Sequence, residues 1–178
     1  SVDTMRAEVA ALAVASGARI INDVSGGLAD EAMHATAAAL KAQYICMHWR
    51  GQSKNMDSLA VYDDVTSEVI AELTKQVASA LLAGIEPTRL VIDPGLGFAK
   101  NAEQNWELLR NIDKFKELGF PILVGGSRKR FLGGNDPLER ESASIALTTW
   151  LATKDIWGVR THTVKPHVDA IRTVGQIA

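Results

Sequence analysis

The stretch RLVIDPGLGFAK, residues 89–100, places a short aliphatic run directly before an aspartate, a proline and two glycines. An uninterrupted run of this kind is typical of a strand that is buried on both faces of a parallel sheet. The Pro-Gly turn ends the strand and leaves Asp93 at its tip. Such a carboxylate either caps the following turn or reaches into a site that several strands share, and for Asp93 alone both alternatives stay open.

Similar aliphatic runs recur along the chain and alternate with stretches of helical spacing. The other predicted strands lie at residues 19–24, 43–48, 121–125 and 156–162. Helices are predicted between Thr4 and Gly17, over residues 63–84, and near residues 30–41, 104–118, 138–153 and 166–175. Asp63 or Asp64 is the expected N-cap of the helix over 63–84. This alternation predicts parallel strands joined by right-handed crossovers.

Polar residues follow nearly every predicted strand, and their distribution separates two possible architectures. A doubly wound sheet concentrates them near one switch point, whereas a (β/α)8 barrel collects them at the carboxyl ends of many strands. Here they are Asp3, Asn22 and Asp23, His48 and Arg50, Asp93, Ser127 to Arg130, and Arg160 and His162. We therefore predict an α/β fold of the TIM barrel class, in a single domain over residues 1–178.

The composition gives a second set of expectations. The 178 residues are 47% hydrophobic and 22% charged, with a net charge of -2, so no excess of positive charge favours nucleic acid or an anionic membrane as a partner. Cys46 is the single cysteine, which excludes a disulfide framework within the chain. No apolar run approaches the roughly 18 residues that a bilayer requires. We expect a soluble protein in the cytoplasm.

Two further motifs suggest an anion site. GGSRKRFLGG, residues 125–134, sets glycines, Ser127 and three consecutive cations after a predicted strand. In RTH, residues 160–162, Arg160 and His162 are expected to point in the same direction, because residues two apart on a strand share a face. Each motif also has an ordinary interpretation, as a solvated basic patch or as a structural histidine. The chain has no metal-ligand spacing, nucleophile elbow or Walker loop, so hydrolytic nucleophile chemistry is unsupported.

Several motifs together resemble one family. SVDT, INDVSGG, MHWRG, DPGLGFAKNAEQN, LVGGSRKRFLG and GVRTHTVKPHVDAI occur in the order and spacing of the dihydropteroate synthase family. The resemblance spans essentially all 178 residues. It implies a pterin-binding TIM barrel that joins 6-hydroxymethyl-7,8-dihydropterin diphosphate to 4-aminobenzoate, giving 7,8-dihydropteroate and diphosphate in folate biosynthesis.

The resemblance also implies roles for individual residues. The pterin would be bound by Asp3, Asn22, Met47, Asp93, Phe98, Gly125, Lys129 and Arg160. Ser127 and Lys129 would bind the aminobenzoate, with Ser127 near a helix start, and Arg160 and His162 would bind the diphosphate. Asp93, Lys129 and Arg160 would act in catalysis.

The match begins inside the family's third strand, so the barrel is expected to be incomplete, from the end of strand 3 through helix 8. The first two β/α units would be missing, together with the two mobile loops that complete the aminobenzoate site and supply an asparagine associated with Mg²⁺. We expect a fragment that is inactive alone, from an enzyme whose full-length form is a homodimer. The alternatives are a pterin-dependent methyltransferase and a non-catalytic pterin-binding paralogue.

Overall fold

The computed structural model describes residues 1–52 and 54–177, and over these residues six strands alternate with six α-helices. The strands are β1 (Val2–Asp3), β2 (Ile20–Asp23), β3 (Gln43–Met47), β4 (Leu90–Asp93), β5 (Leu123–Val124) and β6 (Gly158–Val159). The α-helices are α1 (Ala7–Ala15), α2 (Met33–Leu40), α3 (Val65–Leu82), α4 (Ala102–Arg110), α5 (Glu141–Ala152) and α6 (Val164–Ile177). Short 3-10 helices cover Met56–Leu59, Pro87–Arg89, Ile112–Leu118, Arg130–Leu132 and Pro137–Arg140.

The sheet runs in chain order, and every strand pair is parallel. Strands β1 to β4 form one ladder, and β5 pairs with β6. A parallel bridge between Ile92 and Ile122 joins the two groups. A doubly wound sheet would reverse its strand order at a switch point, whereas a barrel keeps sequential strands as neighbours. The structure is a partial TIM barrel, and the predicted fold class is confirmed.

Helix α3 shows how sequence pattern becomes packing in the layer outside the sheet. Val69, Leu73 and Val77 lie at helical spacing, are buried, and belong to the core that the strands and helices share. Asp64 is the N-cap, since its carboxylate accepts a hydrogen bond of 3.0 Å from the backbone N–H of Ser67. The choice between Asp63 and Asp64 is thereby settled.

Several predicted elements are shorter or less regular than the sequence indicated, among them the strand predicted at 121–125, which is only Leu123–Val124. The helix predicted near 104–118 is α4 followed by a 3-10 helix over Ile112–Leu118, and the one near 138–153 begins with the 3-10 turn Pro137–Arg140. The strand predicted at 156–162 is only Gly158–Val159, because within the described residues β6 has a ladder partner only in the two-residue strand β5.

Cys46 is fully buried in β3, and burial raises the pKa of its thiol, so the sulfur is a packed core atom.

Among the residues that the structure describes, no helix combines the length and apolar character needed to span a bilayer.

Candidate active site

A cavity of about 250 Å³ opens at the carboxyl ends of the strands, and each of the six strands or the residues directly after it contributes to its wall. The lining residues are Asp3, Asn22, Val24, Met47, Asp93, Leu96, Phe98, Gly125, Lys129 and Arg160. All eight residues predicted to bind pterin are in this set. Val24 and Leu96 were not predicted, because their apolar side chains gave no chemical signal that separates them from core residues.

Asp93 lies on the floor of this cavity at the end of β4. Its side chain is buried, and Oδ1 accepts a 2.7 Å hydrogen bond from the backbone N–H of Gly95. Burial raises the pKa of Asp93 to about 6, although the Gly95 hydrogen bond and the charges of Lys129, Lys100 and Arg160 act in the opposite direction. The carboxylate is therefore ionised at neutral pH and desolvated, which strengthens any hydrogen bond it accepts from a ligand.

Asp3, Asn22 and Arg160 form a hydrogen-bonded group across the cavity mouth. Asn22 Nδ2 donates to Asp3 Oδ2 at 3.1 Å, and an Arg160 guanidinium N–H donates to the same oxygen at 3.0 Å. Asn22 is buried, whereas the side chains of Asp3 and Arg160 are 45% and 56% exposed. This contact links the first strand to the segment after the last one, and it leaves the Arg160 guanidinium group partly exposed at the cavity.

Gly125 keeps the space beside these charged groups open. A Cβ at this position would lie 3.7 Å from Asp93 Oδ2 and 4.0 Å from Arg160 Cβ. These are ordinary contact distances, so a side chain would fit sterically but would occupy cavity volume. The absence of a side chain at Gly125 therefore serves the cavity rather than the backbone.

Lys129 stands between this cavity and a second one. Its ammonium lies 4.1 Å from the centroid of the Phe98 ring, and burial lowers its pKa while the nearby Asp93 raises it. Lys129 also lines the neighbouring cavity of about 490 Å³ together with Arg128, Arg130 and Phe131. One cation thus faces two adjoining spaces, and the second space is rich in positive charge.

Ser127 and His162 contact each other outside the set that lines the smaller cavity. His162 Nδ1 lies 3.1 Å from Ser127 Oγ, and the His162 backbone N–H donates to the same oxygen at 3.3 Å. The expectation that Arg160 and His162 share the face of one strand was wrong, since β6 ends at Val159. The nearest helix after Ser127 is the three-residue 3-10 turn Arg130–Leu132, so Ser127 is not at the start of an α-helix.

The mouth of the strands also contains a polar network that the sequence did not reveal. His48 was predicted only as one of the polar residues that follow a strand, and in the structure its ring is buried and contacts Glu72 of α3 at 2.8 Å. The other ring nitrogen contacts the ammonium of Lys100, a residue that sequence reasoning passed over. Its position at the end of the glycine-rich turn, directly before the Asn101 N-cap of α4, is the signal that was available.

Acidic and histidine side chains do not gather into a metal site in the described part of the chain. Within residues 1–52 and 54–177, no group of three or more His, Cys, Asp or Glu side chains lies close enough together to hold a metal ion. Of the charged residues that line the cavity, Asp3 and Arg160 form an ion pair, Asp93 accepts from the Gly95 N–H, and Lys129 lies over the Phe98 ring.

Comparisons with known proteins agree with this geometry. The family model described as pterin binding enzyme matches residues 1–162. Dihydropteroate synthase from Mycobacterium leprae is 47% identical over 185 residues, an alignment that covers 98% of this chain and 65% of that protein. The chain thus spans slightly less than two thirds of that relative.

Solved structures match over nearly the whole chain. Thermus thermophilus dihydropteroate synthase in complex with 4-aminobenzoate is 39% identical with a TM-score of 0.92, covering 99% of this chain and 69% of that chain. The Anaplasma phagocytophilum enzyme with bound 6-hydroxymethylpterin-monophosphate is 36% identical with a TM-score of 0.93, covering 99% and 70%. With the family model matching 162 of 178 residues, this chain belongs to the pterin binding enzyme family.

Proposed function

We propose that this chain carries the pterin site of a dihydropteroate synthase, which joins 6-hydroxymethyl-7,8-dihydropterin diphosphate to 4-aminobenzoate in folate biosynthesis. The observation that carries the proposal is that one cavity is lined by all of the residues predicted to bind pterin, which are Asp3, Asn22, Met47, Asp93, Phe98, Gly125, Lys129 and Arg160. The names of the relatives support the same activity. The proposed domain comprises residues 1–178, and the proposed location is the cytoplasm.

Recognition of the pterin follows from its hydrogen-bonding edge. The aminopyrimidine edge of a pterin presents N–H donors, and the buried, ionised Asp93 is an acceptor with nearly no access to water. Asn22 and Asp3 offer further polar atoms on the same wall. A ring without these donors would leave buried acceptors unpaired, so the site discriminates against it. Phe98 and Met47 supply apolar surface for the ring.

The proposed reaction needs no nucleophile from the protein. The C–O bond to the diphosphate breaks, its electron pair leaves with the diphosphate, and the positive charge spreads over the pterin. The arylamine nitrogen then forms the C–N bond and transfers a proton to water or to the departing diphosphate. Asp93 and Asp3 stabilise the developing positive charge, while Arg160 at the rim and His162 beyond it stabilise the departing diphosphate.

The second substrate is proposed to lie beside Lys129. This cation lines both the pterin cavity and the neighbouring cavity, where Arg128 and Arg130 add positive charge. An arylamine placed there would keep its carboxylate near the cations and its amine toward the pterin. Ser127 is proposed to contribute a hydroxyl to this region.

Magnesium is proposed to accompany the substrate diphosphate. The acidic and histidine residues described in this structure do not form a site that fits the ion by themselves.

A binding measurement tests the proposed function directly. Calorimetric titration of this chain with the pterin diphosphate is expected to give saturable binding, and Asp93→Asn is expected to weaken it at least tenfold, because the amide loses the charge and presents an N–H toward the ligand's donors. Asp113→Asn is the matched control, since Asp113 is an exposed carboxylate paired with Lys116 and Lys154 and lines neither cavity. Binding that is absent in the wild-type chain, or equal in the wild-type chain and Asp93→Asn, would contradict the proposal.

A further inference from the structure

Lys100 is a buried lysine whose ammonium is fully bonded inside the protein. The residue is 8% exposed, and Nζ lies 3.0 Å from the carbonyl oxygens of Gly95 and Phe98 and 2.9 Å from His48 Nδ1. Burial lowers the pKa of Lys100 to about 7, and the acceptors around Nζ suit the charged form, in which three N–H donors face three acceptors. Lys100 therefore uses all of its donors within the chain and has none left for a ligand.

The contacts of His48 show which way these hydrogen bonds run. Nε2 lies 2.8 Å from the carboxylate of Glu72, which only accepts, so the proton is on Nε2 and Nδ1 accepts from Lys100. Burial, followed by the charge of Lys100, lowers the pKa of His48 to about 4, which keeps the ring neutral. Arg50 in turn donates to both oxygens of Glu72. A continuous chain of hydrogen bonds thus connects Arg50 to Lys100.

The loop that Lys100 holds, residues 94–99, has a backbone that needs outside support. Gly95, Gly97 and Ala99 all have positive φ angles, +70°, +73° and +47°, and Ala99 adopts the left-handed region despite its Cβ. The carbonyl of Ala99 accepts from Tyr62 Oη at 3.0 Å. The conformation therefore depends on side chains that satisfy the loop's carbonyl groups.

The same loop shapes the proposed pterin site. The N–H of Gly95 fixes one oxygen of Asp93, and Leu96 and Phe98 line the cavity. Lys100 itself is not among the described residues that line this cavity, although it does line the neighbouring cavity proposed for the second substrate. Its carbonyl partners, Gly95 and Phe98, are the two residues through which it reaches the site.

We propose that Lys100 is a positioning residue, which holds residues 94–99 in the conformation that presents Asp93 and Phe98 to the pterin. This inference rests on the proposed function for the identity of the ligand. The charge of Lys100 adds a second effect, because it favours the ionised form of Asp93. Replacement of Lys100 by an uncharged side chain of similar length removes both effects.

The test compares Lys100→Met with Leu73→Ala, a control that destabilises the core through a residue outside the loop. In the ligand-free chain, amide hydrogen exchange at Gly95 and Gly97 is expected to be at least tenfold faster in Lys100→Met, with the amides of β3 unchanged. In the titration, the pterin is expected to bind at least tenfold more weakly. Leu73→Ala is expected to keep its pterin affinity wherever it remains folded.

A measurement on the wild-type chain covers the case in which Lys100→Met does not fold. Nitrogen-15 spectra of the histidine rings are expected to show His48 neutral at pH 7, with its proton on Nε2. A proton on Nδ1 would overturn the proposal, because Lys100 would then not donate to His48.

The remaining outcomes separate the inference from the proposed function. Exchange at Gly95 and Gly97 unchanged by Lys100→Met, or pterin affinity within twofold of wild type, overturns the role of Lys100. Equal losses of affinity in Lys100→Met and Leu73→Ala would overturn it too, because they would indicate a general effect of stability. Failure of the wild-type chain to bind pterin contradicts the proposed function, while the exchange rates and the His48 spectra still decide whether Lys100 holds the loop.

Discussion

At the residue scale, the ionisation of Asp93 links pH to pterin binding. Burial raises the pKa of this carboxyl group to about 6, and the proposed hydrogen bonds need the ionised form. At pH 5 about a tenth of Asp93 would be ionised, so we expect pterin affinity about tenfold lower at pH 5 than at pH 7.5. Calorimetric titration at a series of pH values measures this.

The pH dependence of folding stability serves as the control for that titration. A carboxyl group whose folded pKa is raised stabilises the fold below its unfolded pKa, near 3.8, and this contribution is lost as pH rises through about 6. The contribution of Asp93 to stability therefore changes in the opposite direction from pterin affinity between pH 7.5 and pH 5. Equal pterin affinity at the two pH values would contradict the assignment of Asp93.

Single residues also show where sequence reasoning reached its limit. For Asp93 alone, the sequence left open whether the carboxylate caps the turn or reaches a shared site, and the polar residues after the other strands favoured the shared site. Lys100 could not be predicted, because only the folded chain brings Gly95, Phe98 and His48 around its ammonium. The direction of the His48 ring depended likewise on Glu72, which lies 24 residues away on another element.

At the element scale, helix α3 tests whether the outer layer stabilises the sheet through its apolar face. Leu73 is fully buried in the core, and Leu82 on the same helix is 91% exposed. We expect Leu73→Ala to lower the free energy of unfolding by about 3 kcal/mol, through lost burial and the cavity left behind. The same substitution at Leu82 is expected to change it by less than about 0.5 kcal/mol. Urea denaturation of both variants measures the difference, and equal effects would contradict the packing described here.

The elements also explain which parts of the fold a pattern can predict. The order of strands and helices followed from aliphatic runs and helical spacing, and it is confirmed. The change from α-helix to 3-10 helix after α4 could not be predicted from the sequence. Leu108 and Ile112 are spaced as in an α-helix, whereas Ile112, Phe115 and Leu118 recur every third residue, as in a 3-10 helix. Both periods keep apolar side chains on the core side, so burial alone does not separate them.

At the scale of the whole molecule, an apolar groove between α4 and α5 is the surface that we propose for homodimer formation. It has a volume of about 450 Å³, and its walls are almost entirely apolar, with Trp106, Leu109, Leu147 and Trp150 among them. Two tryptophans that are more than a third exposed on one face are typical of a protein interface. We expect light scattering at micromolar concentrations to give twice the mass of one chain.

A single charge placed in this groove tests the assignment. Ala146 is exposed and lines the groove, so Ala146→Glu would bury a carboxylate between two copies, whereas the same change at exposed Ala35 on α2 would lie elsewhere on the surface. We expect Ala146→Glu to shift the protein to the mass of one chain, since an unpaired charge buried in an interface weakens it strongly. Ala35→Glu is expected to leave the mass at twice that of one chain. A wild-type chain that scatters as a monomer at every concentration, or a dimer that survives Ala146→Glu, would place the contact between subunits on another face or remove it.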